Sequence, residues 1–208
     1  MTLRRAKMRT MNALLILAHP KPGSFNHAIA DTVETALAGA GLAVVRHDLY
    51  AERFDPIMRQ QEIDEGVSRD PLVEQHCKQL VEADLVAVVH PNWWGQPPAI
   101  LKGWVDRVVR QGLAYRFTER GPEGLLRARV ALVVNTANTP IEIERQMFGD
   151  PLANLWDACT FRFVGVPDVR RRLYEPIIVS TPEQREGWLR DAAAAARAAA
   201  EAVANHRS

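Results

Sequence analysis

The chain lacks any apolar stretch approaching the roughly 20 residues needed to cross a bilayer, which excludes a membrane-spanning helix in its 208 residues. It has two cysteines, Cys77 and Cys159, far apart and in no CxxC or metal-ligand spacing. That excludes a disulfide framework and fits a reducing, cytoplasmic setting with both thiols buried. It has almost no net charge, with 26 Lys and Arg against 25 Asp and Glu, so no electrostatic footprint for nucleic acid is present. The basic runs Arg4-Arg5 and Arg170-Arg171-Arg172 are short enough to be a solvated face or a loop. GxGxxG and GxxxxGKS/T are both missing, which excludes the nicotinamide-type dinucleotide fingerprint and the P-loop.

What is there is apolar and periodic. With 47% hydrophobic residues, the chain can bury one sizeable core, and it reads as a single domain over residues 13–208. Residues 1–12, with Arg4, Arg5, Lys7 and Arg9, read as a flexible extension, or as the product of an upstream start with Met8 or Met11 as the alternative. Residues 13–18 (ALLILA) form a continuous apolar run of strand length, the pattern of a strand buried on both faces. Residues 42–45, 85–89, 130–134 and 177–179 supply four more strands, and 161–164 resembles an edge segment.

Helical patterns fall between these strands. Ile29, Val33 and Leu37 recur on one face of the first helix, and Gly39 and Gly41 punctuate its end. Further helices are expected over 72–83, from Pro98 onward with Ile100, Leu101, Trp104, Val105 and Val108 as its stripe, and over 142–158. Thr181-Pro182-Glu183-Gln184 is a capping box that opens an Ala-rich last helix anchored by Trp188 and Leu189.

Strands alternating with helices predict a parallel α/β sheet with right-handed crossovers. In the five-stranded order 2-1-3-4-5, the ligand crevice lies between strands 1 and 3, where the order reverses. Two distinctive loops leave those two strands. The first, residues 18–26 (AHPKPGSFN), offers His19, Ser24 and Asn26 as side-chain donors, Lys21 as a charge, and Gly23 for close backbone approach; no acid lies between residues 19 and 30. A helix N-terminus with such a loop suits a phosphate, and a plain N-cap at Ser24 is the alternative role. The second loop, residues 91–95 (PNWWG), can wall a flat ring with Trp93 and Trp94 and present backbone N–H groups to its edge. Adjacent tryptophans on a turn point to opposite sides, so both are not core filler. A third loop, Asn135-Thr136-Ala137-Asn138, would close the pocket with small polar groups. The three together suit a flavin.

These residues resemble the flavodoxin-like NAD(P)H quinone reductases, including the modulator-of-drug-activity proteins and the ancillary oxidoreductases of potassium efflux systems. The resemblance is carried by Ala18-His19-Pro20 with Ser24-Phe25-Asn26, Asp48-Leu49-Tyr50, Phe54-Asp55-Pro56-Ile57, and above all by Trp94 with residues 98–104 (PAILKGW). It continues through Ala114-Tyr115 and Gly121-Pro122 to Thr136. It implies a flavodoxin-like three-layer sandwich. It further implies FMN, with FAD as the alternative, NADH or NADPH as co-substrate, and hydride transfer from NAD(P)H through the flavin to a quinone or similar acceptor.

By this resemblance His19, Ser24, Phe25 and Asn26 surround the flavin phosphate or pyrophosphate, Pro91, Asn92, Trp93, Trp94 and Gly95 contact the ring, and Asn135, Thr136, Ala137 and Asn138 line its other edge. Tyr115, Phe117 and Phe148 belong to the substrate pocket, with Tyr115 and Phe117 reaching into a partner subunit, which implies a homodimer. No side-chain nucleophile is needed, because the flavin N5 carries the chemistry.

The sequence departs from the family in one loop. The Tyr and His that flank the flavin in the mammalian enzyme are missing from residues 137–151, where Phe148 stands at the family His. Glu142 and Arg145 are the available stand-ins, with a solvated helix face as their other role. A regulatory subunit of a membrane transporter and a flavodoxin-type electron carrier are the rival readings; near-neutral charge speaks against the carrier.

Overall fold

The first strand starts earlier than the apolar run. In the computed structural model, which describes residues 10–206, strand β1 spans Met11–Leu17, and Met11 and Asn12 already pair with Leu42 and Ala43. The Asn12 amide also donates to Asp84 Oδ2 at 2.8 Å. Of the expected extension over 1–12, residues 1–9 lie outside the described residues.

Strands β2 (Leu42–Asp48), β3 (Leu85–Pro91), β6 (Val130–Thr136) and β7 (Asp168–Tyr174) complete a five-stranded sheet. Its order is β2-β1-β3-β6-β7, with every pairing parallel. Strands β4 (Tyr115–Thr118) and β5 (Gly121–Gly124) form a separate antiparallel hairpin. With that hairpin set aside, the order is the predicted 2-1-3-4-5.

Burial explains the layering. The side chains of β1 alternate between two cores: Leu14 and Ile16, with Ala18 just past the strand, join one, and Ala13, Leu15 and Leu17 the other. The first core is closed by helices α3 (Pro71–Glu82) and α4 (Ala99–Val108), which follow the short α2 (Gln60–Glu65) in the chain. The second is closed by α1 (Phe25–Gly39) and α7 (Pro182–Asn205). A strand that is apolar at every position therefore has a helix layer on each side. The capping box opens α7 as expected, with Thr181 accepting from the Gln184 amide, and Trp188 packs on Phe25 and stacks on Tyr174.

The C-terminal third corrects the sequence reading. The fifth strand is Asp168–Tyr174, not 177–179, whose residues form a turn. Its run of arginines hides the strand pattern, because an edge strand is covered on both faces by long side chains whose stems pack while their charges reach carboxylates. Arg170 pairs with Asp168, Arg171 with Asp150, and Arg172 with Asp191.

The expected helix over 142–158 is three pieces: α5 (Ile141–Phe148), the short α6 (Pro151–Asn154), and a π-helical stretch Leu155–Arg162. Gly149 and Asp150 both adopt positive φ, at 73° and 51°, and Pro151 follows, so the first piece ends at a left-handed glycine. Phe161 lies in the π-helical stretch, which removes the expected edge strand at 161–164. Cys77 is buried, but Cys159 is exposed on that same stretch.

One glycine explains a long excursion of the chain. A Cβ on Gly103 of α4 would stand 2.2 Å from the Pro56 carbonyl oxygen, so residues 54–57 lie directly against the helix. No described helix is long and apolar enough to cross a membrane.

Candidate functional site

Parallel strands deliver the loops that follow β1, β3 and β6 to the same edge of the sheet, side by side. The contacts between them are specific. Asn26, at the start of α1, donates from Nδ2 to Thr136 Oγ1 at 3.0 Å across 110 residues of sequence. The Asn92 amide donates to the Thr136 carbonyl at 2.6 Å. The rings of His19 and Trp93 lie 6.3 Å apart. The turns at His19 and Trp93 thus meet in one crevice at the point where strand order reverses.

The first loop is built as an open N-terminus. Ser24 occupies the N-cap position of α1, but its hydroxyl makes no capping bond. It meets His27 Nδ1 at 2.8 Å instead, and His27 Nε2 faces Asp48 Oδ2 at 3.2 Å. The first turn of α1 carries no acidic residue, and Gly23, at φ 67°, has open space where a Cβ would be. Burial, followed by the neighbouring His27 and Lys21, holds the His19 imidazole below its ordinary pKa despite a bond to the Lys21 carbonyl. A neutral His19, an uncapped helix start and Lys21 form a donor-rich cup.

The second loop is tighter. Gly95 donates its amide to Asn92 Oδ1 at 2.9 Å, and Trp93 and Gln96 exchange backbone bonds across the turn. Trp94 has φ 57° and is fully exposed, while Trp93 is 41% exposed. Neither is core filler. Between this turn and the residues after β6 lies a cavity of about 500 Å³, lined by Asn92, Trp94, Gly95, Ala137, Asn138, Thr139, Glu144, Phe148 and Pro151.

Several predicted residues are placed otherwise. The Phe25 ring packs on Trp188, with the Arg185 guanidinium 5.7 Å from its ring centre. Asn135 is buried and accepts from Arg171 Nε at 2.8 Å, so it braces β7 and does not line the cavity. Pro91 is buried as the last residue of β3. Phe148 lines the cavity, whereas Tyr115 and Phe117 stand on the hairpin, with Tyr115 packed edge-on against Phe163 and Phe117 exposed. Of the charged residues in α5, Glu142 and Arg145 are exposed, and Glu144 is buried facing the cavity. Helical phase is the signal that could have singled it out: one residue in this acidic helix had to face inward.

Behind the site, buried polar groups fix its walls. Arg171 grips Asp150 through two contacts of 2.7 Å, which anchors the left-handed turn before Pro151. The Trp156 indole donates to His90 Nε2 at 2.9 Å, and His90 Nδ1 lies 2.8 Å from the Pro91 carbonyl. Complete burial pushes the His90 pKa down to about 4, so the ring is neutral and locked in one tautomer.

A second cluster was invisible in the sequence spacing. His47, Glu52 and His76 bring their ligand-type atoms within 4.8 Å of one another under β2 and α3. The two imidazole centres lie 3.7 Å apart with the rings tilted 31° to one another. Trp104 donates to His76 Nδ1 at 2.9 Å, leaving the His76 proton on Nε2, 3.2 Å from Glu52 Oε2. Glu52 Oε1 meets His47 Nδ1 at 2.6 Å, while Glu52 Oε2 and His76 Nε2 form no hydrogen bond among the described residues.

Comparison with known proteins agrees with the architecture. A family profile described as a flavodoxin-like fold matches residues 11–201. An uncharacterised NAD(P)H oxidoreductase of Haemophilus influenzae is 32% identical over 192 residues, covering 88% of this chain and 93% of its own length. The rat NAD(P)H dehydrogenase (quinone) 1 is 30% identical over 211 residues, covering 87% of this chain and 76% of the relative. The solved NAD(P)H:quinone oxidoreductase of Methanothermobacter marburgensis superposes with a TM-score of 0.78 at 26% identity, covering 91% of this chain and 96% of that one. The chain therefore belongs to the flavodoxin-like family that contains the NAD(P)H quinone reductases, and it is an oxidoreductase.

Proposed function

We propose that this chain binds FMN in the crevice between β1, β3 and β6 and passes two electrons, as hydride, from NAD(P)H to a quinone or a similar small acceptor. The carrying observation is the Asn26–Thr136 hydrogen bond, which ties the donor-rich cup to the loop that walls the cavity. The names of the relatives support NAD(P)H and a quinone as substrates.

The residues present fit a flavin. An uncapped helix N-terminus with Lys21 and Gly23 suits the phosphate, and the cavity beside Trp94 and Gly95 is of ring size. Among the described residues nothing donates to the buried Asn26 Oδ1, which suits it to a donor on the ribityl chain. When bound, the flavin supplies reversible hydride chemistry at its N5. The protein's share is placement. Trp94 borders the ring with Trp93 beside it in the same turn, Asn138 and Thr139 offer polar contacts, and Phe148 and Pro151 add apolar wall. NAD(P)H and acceptor would occupy the same open face in turn, so neither needs a side-chain nucleophile.

A homodimer is part of this reading. Phe117, Ile178 and Val179 are more than half exposed, and the Tyr115–Phe117 hairpin is the element that would reach a partner's cavity. Stopped-flow absorbance tests the function: NADH or NADPH should bleach the bound flavin, and a quinone should restore it. Failure of both nucleotides to bleach it overturns the assignment.

A further inference from the structure

Glu144 is the one titratable side chain among the residues lining the cavity. It is only 4% exposed, and among the described residues it has no ion-pair partner. Its Oε1 accepts from Asn92 Nδ2 at 3.1 Å, and no described residue donates to Oε2. The first turn of α5 and the Asn92 amide offset part of what burying a carboxylate costs. They do not occupy the second oxygen.

The side-chain amide acceptors on the cavity wall are taken, which leaves the neutral Thr139 hydroxyl as the other acceptor there. Asn92 Oδ1 receives the Gly95 amide at 2.9 Å, and Asn138 Oδ1 receives the Ile178 amide at 3.0 Å. What the cavity offers its occupant is therefore a negative, strongly accepting oxygen. An oxidised isoalloxazine has a single N–H, the imide at N3, set between two carbonyl oxygens that a carboxylate would repel. Only one orientation of the ring edge satisfies both partners.

Resting on the flavin reading above, we propose that Glu144 Oε2 accepts the N3–H of the flavin and so selects which edge of the ring enters the cavity. A hydrogen bond to a charged acceptor is strong, and its negative charge lies beside a ring that must take on electrons. Glu144 then has two effects: it orients the ring, and it makes the bound flavin harder to reduce.

The test is a titration of the flavin-free chain, as wild type, Glu144→Gln and Glu144→Leu, with FMN and with FMN methylated at N3, followed by fluorescence. Wild type should prefer FMN by about tenfold or more. Glu144→Gln, which keeps an acceptor and the shape, should retain part of that preference; Glu144→Leu should lose it. The midpoint potential of FMN bound to Glu144→Gln should shift positive. A preference that persists undiminished in Glu144→Leu marks a steric effect and overturns the proposal, as does an unchanged potential in Glu144→Gln. Glu144→Gln alone decides the matter if Glu144→Leu does not fold. The titration contains no nicotinamide, so a role for Glu144 toward the NAD(P)H carboxamide alone would leave the FMN preference at one and also overturn it. Wild type that binds no FMN overturns the flavin reading itself.

Discussion

Gly95 lies against Pro151 so closely that a Cβ on it would stand 2.6 Å from Pro151 Cγ. The turn after β3 and the start of α6 are thus set by contact between two residues 56 positions apart in the numbering of the chain, and Gly95 also holds φ 69°. Gly95→Ala adds both backbone strain and overlap, with an expected loss of about 1–3 kcal/mol. Thermal unfolding should show a lowered Tm, and FMN affinity should fall with it. An unchanged Tm would mean that the two turns are not wedged together.

Trp94 gives the opposite pairing of effects. It is fully exposed, so Trp94→Ala should leave stability within about 0.5 kcal/mol while weakening FMN binding severalfold. Equilibrium denaturation and a flavin titration on the same preparation separate the two. Wild-type affinity in this variant would remove Trp94 from the ring site.

Arg107 and Glu62 form a buried pair, with Arg107 Nε and Nη2 within 3.1 Å of the carboxylate. Arg107→Met leaves Glu62 buried and unpaired and should cost about 3–5 kcal/mol; adding Glu62→Leu should recover much of it. Burial pushes the Glu62 carboxyl up, but bonds from Arg107, Ser68 and the Arg59 amide outweigh burial and hold it below its ordinary value. The pair's contribution is therefore complete above the ordinary carboxylate range and is lost as pH falls through the lowered value. Glu62→Gln should flatten that acid limb in pH-dependent denaturation; an unaltered limb would contradict the assignment.

Two buried histidines act in a higher window. Burial pushes His90 down to about 4, and burial together with His47 pushes His76 down to about 3. The unfolded chain takes up these protons near pH 6.5 and the folded chain does not. Stability is then complete above pH 6.5 and falls by about 1.4 kcal/mol per unit for each histidine as pH drops toward its folded value. His90→Gln should remove one histidine's share of the slope between pH 6 and 4.5. The same slope in both proteins would show that His90 is not held neutral.

Sheet order, both helix layers and the meeting of the first two loops were legible in the sequence. β1, β3 and β6 are apolar at nearly every position, and Pro, Gly and Trp cluster where their loops begin. The third closing the site was not. Arginine-rich Asp168–Tyr174 looks like a solvated run because an edge strand has one neighbour and builds its cover from aliphatic stems. The break at Gly149-Asp150-Pro151 turned one expected helix into three pieces. Glu144 is hidden in the sequence because Glu142, the same residue type on the same short helix, differs from it only in helical phase. The His47–Glu52–His76 cluster is hidden because its members join through tertiary packing between β2 and α3.

The arginines of the outer strands have a further consequence. A parallel sheet ends in two rows of unpaired backbone groups, each a template on which another chain could grow a strand. Here β7 carries Arg170, Arg171 and Arg172, and β2 carries Arg46, which reaches Asp31 and Glu34. Guanidinium heads held by nearby carboxylates line β7 and one stands on β2, so an approaching strand would have to strip water and counter-charge from them before pairing. Resistance to edge-to-edge aggregation is in this way written into the same arginines, of which Arg171 also anchors the turn beside the cavity.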